Sequence, residues 1–399
     1  MKNKSIRKLP SRIMAVMLAM ILCMATSVTA FAGTGGSAST PQKAVITKNL
    51  QYADATGVTP PNATFTFTGT ASSKDGLTDA TTLSSMPALT ANITFTGSET
   101  ATSPSTGMKQ VSSTVDLIGN VSWTSTGTYK YTVAETADTY SLQTGEKMVY
   151  SQAEYTLTVV VAYDSASGMY YAAETYLEKL QNDDGTTGTG KGEPNDPTDA
   201  TYNFYFLNTY SIQGGTTAGD EALTISKAIT GTGASATQQF EFTLTASDSV
   251  TGTAAANYDG KIYNSGGTQT GTITLTADGT TAATFKLTGG DYVVFDTLPA
   301  GTTFTVNELA VANYKASYSG AVSAGSISNA NTTTNTALST GSQKVGAGMN
   351  NTVGYTNEYD NSLIPTGVLS NIAPFVAIIA VAVIAFVAFA AMNRRKASR

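Results

Sequence analysis

The chain has 399 residues, with 28 Asp and Glu against 22 Lys and Arg, one cysteine and no histidine. Histidine-based catalysis and His- or Cys-ligated metal sites are excluded from its body, and no disulfide staples it, so neither metal nor cofactor is expected. Between residues 33 and 366 there is no arginine, and 13 lysines face all 28 acids, a balance that argues against nucleic-acid binding.

Lys2, Lys4, Arg7, Lys8 and Arg12 precede an apolar run over about 13–28 and then Ala30-Phe31-Ala32, the small-x-small spacing a signal peptidase accepts. Residues 1–32 are therefore expected to be a secretory signal peptide, outside the fold. Cys23 lies within it. Leu22 stands where a lipoprotein signal wants a small residue, so the cysteine reads as part of the apolar signal core. Residues 33–40 are expected to form a flexible leader.

From residue 41 onward, apolar residues alternate with polar ones. Thr64-Phe65-Thr66-Phe67-Thr68, Tyr129-Lys130-Tyr131-Thr132-Val133, the run 155–161, Phe240-Glu241-Phe242-Thr243-Leu244 and Thr303-Phe304-Thr305-Val306 all show it. Period two is the signature of a half-buried strand. Gly, Thr, Ser and Asp cluster at the turns between these runs. Charged residues are only 13% of the chain, about half the usual share, and Thr, Ser, Ala, Gly and Tyr suit sheet faces better than helices. No internal segment holds a helical period beyond one or two turns. The prediction is an all-β body of two tandem β-sandwiches, 41–212 and 221–362, joined by a glycine-bearing linker at 213–220.

Residues 363–399 carry a different signal. Leu363-Ile364-Pro365-Thr366-Gly367-Val368 is followed by an uncharged apolar run, 373–392, long enough to span a bilayer core as a helix. Arg394, Arg395, Lys396 and Arg399 come next and would hold the tail in the cytoplasm. Proline keeps the motif extended, and glycine leaves the Thr366 carbonyl open to an enzyme thiolate. The ordered trio resembles the cell-wall sorting signals of Gram-positive bacteria. That resemblance implies sortase cleavage between Thr366 and Gly367, with membrane contact only before cleavage.

The two predicted domains share three landmarks in the same order. Each opens on a strand with a lysine among apolar residues, Val45-Ile46-Thr47-Lys48-Asn49-Leu50 and Leu223-Thr224-Ile225-Ser226-Lys227-Ala228-Ile229. Each has a middle strand ending in glutamate, Tyr131-Thr132-Val133-Ala134-Glu135 and Phe304-Thr305-Val306-Asn307-Glu308. Each closes on an aromatic-x-Asn-x-Tyr strand, Phe206-Leu207-Asn208-Thr209-Tyr210 and Tyr355-Thr356-Asn357-Glu358-Tyr359. Strict alternation puts Lys48, Glu135, Asn208, Lys227, Glu308 and Asn357 on apolar faces, directed into the core. Burial disfavours the charged forms, lowering a lysine pKa and raising a glutamate pKa. A neutral amine beside an asparagine amide and a protonated carboxyl is a transamidation site, from which ammonia leaves and a Lys–Asn isopeptide bond remains.

This arrangement resembles the isopeptide-containing, inverse-immunoglobulin (CnaB-type) domains of Gram-positive pilins, above all two-domain backbone pilins of the streptococcal T-antigen type. Leu298-Pro299-Ala300-Gly301-Thr302 leading into the Glu308 strand carries the likeness closely, whereas Trp123-Thr124-Ser125-Thr126-Gly127 departs from it in the first domain. The resemblance implies immunoglobulin-like sandwiches, a Lys48–Asn208 bond promoted by Glu135, and a Lys227–Asn357 bond promoted by Glu308. It further implies a surface pilus subunit, not an enzyme on external substrates. Sortase, neighbouring copies of the chain and peptidoglycan would be its partners, and any host ligand is unnamed. Such a polymer needs a lysine to accept the next subunit's Thr366. Lys191, in the glycine-rich loop 188–196, is the first candidate and Lys179 the second. The alternative is a monomeric wall-anchored adhesin or basal pilin. A secreted enzyme is disfavoured by the absence of His, Cys and a nucleophile elbow from the body of the chain.

Overall fold

The computed structural model describes residues 35–194, 204–215, 222–248 and 256–361, together with residues 378, 379 and 382. The expected signal peptide, the sorting motif Leu363-Ile364-Pro365-Thr366-Gly367 and nearly all of the expected span 373–392 fall outside the described residues. Among the described residues, no helix is long and apolar enough to cross a membrane. The chain is almost wholly β and divides into two compact units, Met1–Tyr52 with Thr59–Tyr210 and Ala53–Val58 with Ser211–Arg399.

The first unit contains β1 (Val45–Ala53), β2 (Ala63–Lys74), β3 (Leu89–Phe95), β4 (Met108–Asp116), β5 (Gly127–Glu135), β6 (Glu146–Val149), β7 (Glu154–Asp164), β8 (Met169–Gln181), β9 (Lys191–Gly192) and β10 (Phe204–Ile212). One sheet runs β4-β1-β10-β6 and the other β3-β2-β5-β7-β8-β9. Side-chain alternation decides which face is buried. Along β7, Tyr155, Leu157, Val159 and Val161 are buried while their neighbours are not, as a strand half-covered by a second sheet requires. The β7–β8 turn follows from local chemistry. Asp164 accepts the backbone N–H groups of Ala166 and Ser167 at 3.1 and 3.2 Å, and Gly168 takes φ +72°, a left-handed conformation open to glycine at little cost.

Residues 36–42, expected to lie largely in a flexible leader, are instead tied to β8. Gly36 N–H donates to Ala173 O and Gln42 N–H to Ala172 O, both at 2.8 Å. A Cβ at Gly36 would stand 2.8 Å from Ala172 O, so the missing side chain is what lets this turn approach the strand.

The second unit contains β11 (Leu223–Thr230), β12 (Phe240–Ser247), β13 (Asn257–Tyr263), β14 (Gln269–Thr276), β15 (Ala283–Leu287), β16 (Tyr292–Phe295), β17 (Thr303–Glu308), β18 (Tyr314–Val322), β19 (Gly325–Ala330), β20 (Leu338–Ser339), β21 (Gln343–Lys344) and β22 (Asn351–Tyr359). Its sheets are β14-β13-β16-β11-β22-β18-β19 and β15-β12-β17-β20, with β21 also paired to β17. Phe240, Phe242, Leu244, Phe304, Val306, Val353 and Tyr355 fill the space between them. Both units are thus immunoglobulin-like β-sandwiches.

The two sandwiches share one topological device. Their first and last strands lie side by side and parallel, β1 with β10 and β11 with β22. A parallel pair cannot be closed by a tight turn, and here the rest of the domain forms the connection.

Candidate functional site

Parallel pairing sets the spacing of the first two site residues. In the first domain Lys48 stands opposite Phe206, so Asn208 lies two residues further along the neighbouring strand, on the same face. In the second, Lys227 stands opposite Tyr355 and Asn357 again lies two residues on. Both registers are the same, and a lysine side chain is long enough to cover that diagonal.

The glutamates come from the facing sheets. Glu135 closes β5 opposite Phe67 of β2, and Glu308 closes β17 opposite Phe242 of β12. Phe67 packs on Phe206 with centroids 5.0 Å apart, and Phe242 packs on Tyr355 at 5.2 Å. Each glutamate is thereby brought over the Lys–Asn diagonal by an aromatic pair that spans the sandwich.

Within the first domain, Lys48 Nζ donates to Glu135 Oε2 at 2.7 Å, and Asn208 Nδ2 donates to Glu135 Oε1 at 2.7 Å. The carboxyl therefore bridges amine and amide, and the side chains of Lys48 and Glu135 are fully buried. In the second domain, Lys227 Nζ donates to Asn357 Oδ1 at 2.6 Å and lies 3.0 Å from Glu308 Oε1. Neither Glu308 oxygen receives a well-directed hydrogen bond, so this carboxyl is held by proximity to the ammonium rather than by alignment.

Burial dominates the electrostatics. It pulls Lys48 down to about 8, against the opposing attraction of Glu135, and it raises Glu135 above the usual carboxylate range. Lys227 is likewise lowered to about 8 by burial and Glu308 is raised. Both shifts favour the neutral amine and the neutral acid over the ion pair. With one proton on the carboxyl, the amine lone pair is free to attack the amide carbon. The same carboxyl can accept a proton from the amine and deliver one to the departing ammonia. The C–N bond to lysine would form as the bond to Nδ2 breaks, with the carboxyl regenerated.

All six side chains singled out in the sequence lie in these two clusters, three in each. The strand pattern did not mark the rings that cover the amines. Lys48 Nζ stands 4.7 Å from the Phe65 centroid and Lys227 Nζ 4.0 Å from that of Phe240. The signal was present as Phe-x-Phe at the start of the second strand of each domain, Phe65-Thr66-Phe67 and Phe240-Glu241-Phe242.

The approach to the Glu308 strand is buried at Leu298, Ala300 and Thr302, and Gly301 takes φ +95°. In the first domain Trp123 packs on Tyr129 at 5.0 Å.

Lys191 does not sit in an open loop. It lies in β9 and pairs with Glu178 of β8, and its ammonium lies 3.9 Å from Glu178 Oε1. A Cβ at Gly188 would meet Lys179 Cγ at 2.7 Å, so this glycine lets the chain fold back onto β8. The Lys191 side chain remains 47% exposed, enough for a second protein to reach it. Lys179, half-buried, places its ammonium 5.6 Å from the Tyr155 ring centroid.

Comparison with known proteins bears on both domains. Residues 44–211 match the family described as the Spy0128-like isopeptide containing domain, and residues 221–340 match a domain of unknown function, DUF7601. No curated protein matches the chain. Among solved structures, the major pilin from Streptococcus pyogenes is 19% identical over 80% of this chain and 99% of its own, with a TM-score of 0.33. The major pilin T3.2 from Streptococcus pyogenes is 18% identical over the same shares, at 0.32. A pilus-presented adhesin is 16% identical over 52% of this chain and 36% of its own, at 0.24. The first domain is thus similar to the Spy0128-like isopeptide containing family.

Proposed function

We propose that the chain is the structural subunit of a covalent pilus on the surface of a Gram-positive bacterium. In this reading, residues 41–212 and 221–362 are its two domains, and each is closed by an intramolecular bond, Lys48–Asn208 and Lys227–Asn357. Glu135 and Glu308 serve as the proton relays. Sortase cleaves after Thr366 and joins that carbonyl to a lysine of the next copy, with Lys191 ahead of Lys179, and finally to peptidoglycan. The chain catalyses only its own cross-links.

The observation that carries this reading is the repetition of one buried Lys, Glu and Asn cluster, in one strand register, at the first and last strands of both domains. A single buried ion pair would be weak grounds, because such pairs are often neutral for stability. Two copies that each add an asparagine amide beside the amine have no purpose as ion pairs.

Intact mass of the purified mature chain tests the bonds. Each releases one ammonia, about 17 Da, so the chain should be lighter than its sequence by about 34 Da. An unshifted mass sinks the reading. Boiling in SDS tests assembly: cell-surface extracts should show a high-molecular-weight ladder that Thr366→Ala abolishes and Lys191→Arg shortens. A single discrete band would favour a monomeric adhesin.

A further inference from the structure

In the first domain both ends of the Asn208 amide are held. Nδ2 faces Glu135, while Oδ1 accepts the backbone N–H of Ser151 at 2.7 Å. Ser151 lies between β6 and β7, is 7% exposed, and directs this N–H into the core instead of into a sheet ladder. Its own hydroxyl donates to Asp183 Oδ1 at 2.5 Å and accepts the Ala153 N–H at 3.1 Å. Asp183 Oδ1 also accepts the N–H of Leu207 at 2.7 Å, the residue just before Asn208. Gln152 N–H donates to the Asp183 backbone oxygen at 3.0 Å. Asp183 thus fastens the Ser151 peptide to the strand that carries the reacting amide.

We propose that the Ser151 N–H is an oxyanion donor for cross-linking in the first domain and that Asp183 is its positioning residue. This rests on the isopeptide reading above. Neutral Lys48 Nζ attacks Asn208 Cγ, and the carbonyl electron pair moves onto Oδ1, where the Ser151 N–H already points. Glu135 Oε2 takes a proton from Nζ as the carboxyl proton passes to Nδ2. The pair on Oδ1 then returns, the Cγ–Nδ2 bond breaks and ammonia leaves. A donor fixed before the charge develops needs no reorganisation in the transition state, and removing one such donor elsewhere costs about 100- to 1,000-fold in rate. In the second domain the matching oxygen, Asn357 Oδ1, accepts from Lys227 Nζ, and no backbone N–H among the described residues donates to it, so the Lys227–Asn357 bond serves as the reference.

Pulse synthesis of the full chain in a cell-free extract, quenched in acid at intervals and digested, reports the two cross-linked peptides separately by mass. Lactic acid incorporated at position 151 replaces the N–H by an ester oxygen, and Ser151→Ala is its N–H-bearing reference. The ester should form Lys48–Asn208 about 100-fold more slowly than Ser151→Ala, with Lys227–Asn357 unchanged. Asp183→Ala should slow the first bond, and Asp183→Asn, which keeps the acceptor oxygen, should restore it. Equal rates for the ester and Ser151→Ala overturn the proposal. If the ester chain loses protease resistance, the Asp183 variants decide, and equal rates for Ala and Asn overturn it. If the unaltered chain never links Lys48 to Asn208, the isopeptide reading falls instead.

Discussion

Lys227 Nζ lies 2.6 Å from Asn357 Oδ1 across 130 residues of sequence, on parallel neighbouring strands that open and close the second domain. An amide between them would close almost the entire domain into one loop. Tension applied at the two ends would then meet a covalent bond before it reached the hydrogen bonds of either sheet. Disulfides give cysteine-rich proteins the same advantage by restricting the unfolded chain, and this chain has no cysteine pair with which to do so.

Asn357→Ala should therefore unlink and weaken the second domain. Chain-entropy arguments for a loop of this length give about 5 kcal/mol, equivalent to a fall in Tm of roughly 10–20 °C for a domain of this size. Differential scanning calorimetry of the mature chain should show one transition lowered and the other in place. An unchanged profile would mean that no cross-link contributes to the second domain.

The rate of bond formation should be bell-shaped in pH. The reactive pair holds one proton, on glutamate, with the amine neutral. At low pH both groups are protonated and the amine cannot attack. As pH rises through the elevated range of Glu135 and Glu308, the pair passes from two protons to one and the rate climbs. Above about 8, where Lys48 and Lys227 lose their protons, the pair is left without the acid that ammonia departure needs. Cross-linking followed by mass in the pulse-synthesis assay from pH 4 to pH 10 checks this. A rate that rises steadily to pH 10 would show that only amine deprotonation matters.

Much of this was legible in the sequence because alternation is a local signal. The faces of Lys48, Lys227, Glu135, Glu308 and the two asparagines followed from period two, and no longer-range information was needed. Glu135 is the last residue of β5, yet its side chain too is fully buried. The parallel register was not legible, because pairing of strands at opposite ends of a domain leaves no local trace. Nor was the ordering of residues 36–42, which depends on Gly36 approaching a strand more than a hundred residues away. Lys191 looked like an open-loop residue because glycine-rich sequence resembles a loop, yet Gly188 is there to permit pairing with β8. Ser151 is a single polar residue between strands, and only the fold brings its N–H to Asn208.

Gly320 of β18 should be intolerant of any side chain. It pairs with Val353 of β22, and a Cβ there would stand 1.9 Å from Thr352 O. Backbone cannot yield cheaply, so Gly320→Ala should cost about 1–3 kcal/mol and lower the second domain's Tm. Asn357 pairs with Ala316, farther along the same two strands, so the cross-link should still form. Mass spectrometry and calorimetry on one sample separate the effects, and loss of the bond would show that strand spacing is transmitted along β22.

The ring over each amine has two opposing effects, and their sizes set the outcome of changing it. Phe240, 4.0 Å from Lys227 Nζ, stabilises the charged amine by a cation–π contact, about 2 kcal/mol where water is excluded. It also keeps water away, which favours the neutral amine. Leucine removes less volume than the ~30 Å³ a water molecule occupies, so Phe240→Leu should lose the cation–π contact and stay dry. The Lys227 pKa then falls further and the bond should form at least as fast, at a cost under about 1.5 kcal/mol in stability. Alanine opens a space beside three polar groups that water can fill. Phe240→Ala should raise the Lys227 pKa, slow the bond and cost about 3–5 kcal/mol. Pulse synthesis of both variants, with the Lys48–Asn208 peptide as internal reference, tests the order. If leucine slows the bond as much as alanine does, the ring acts by geometry and not by excluding water.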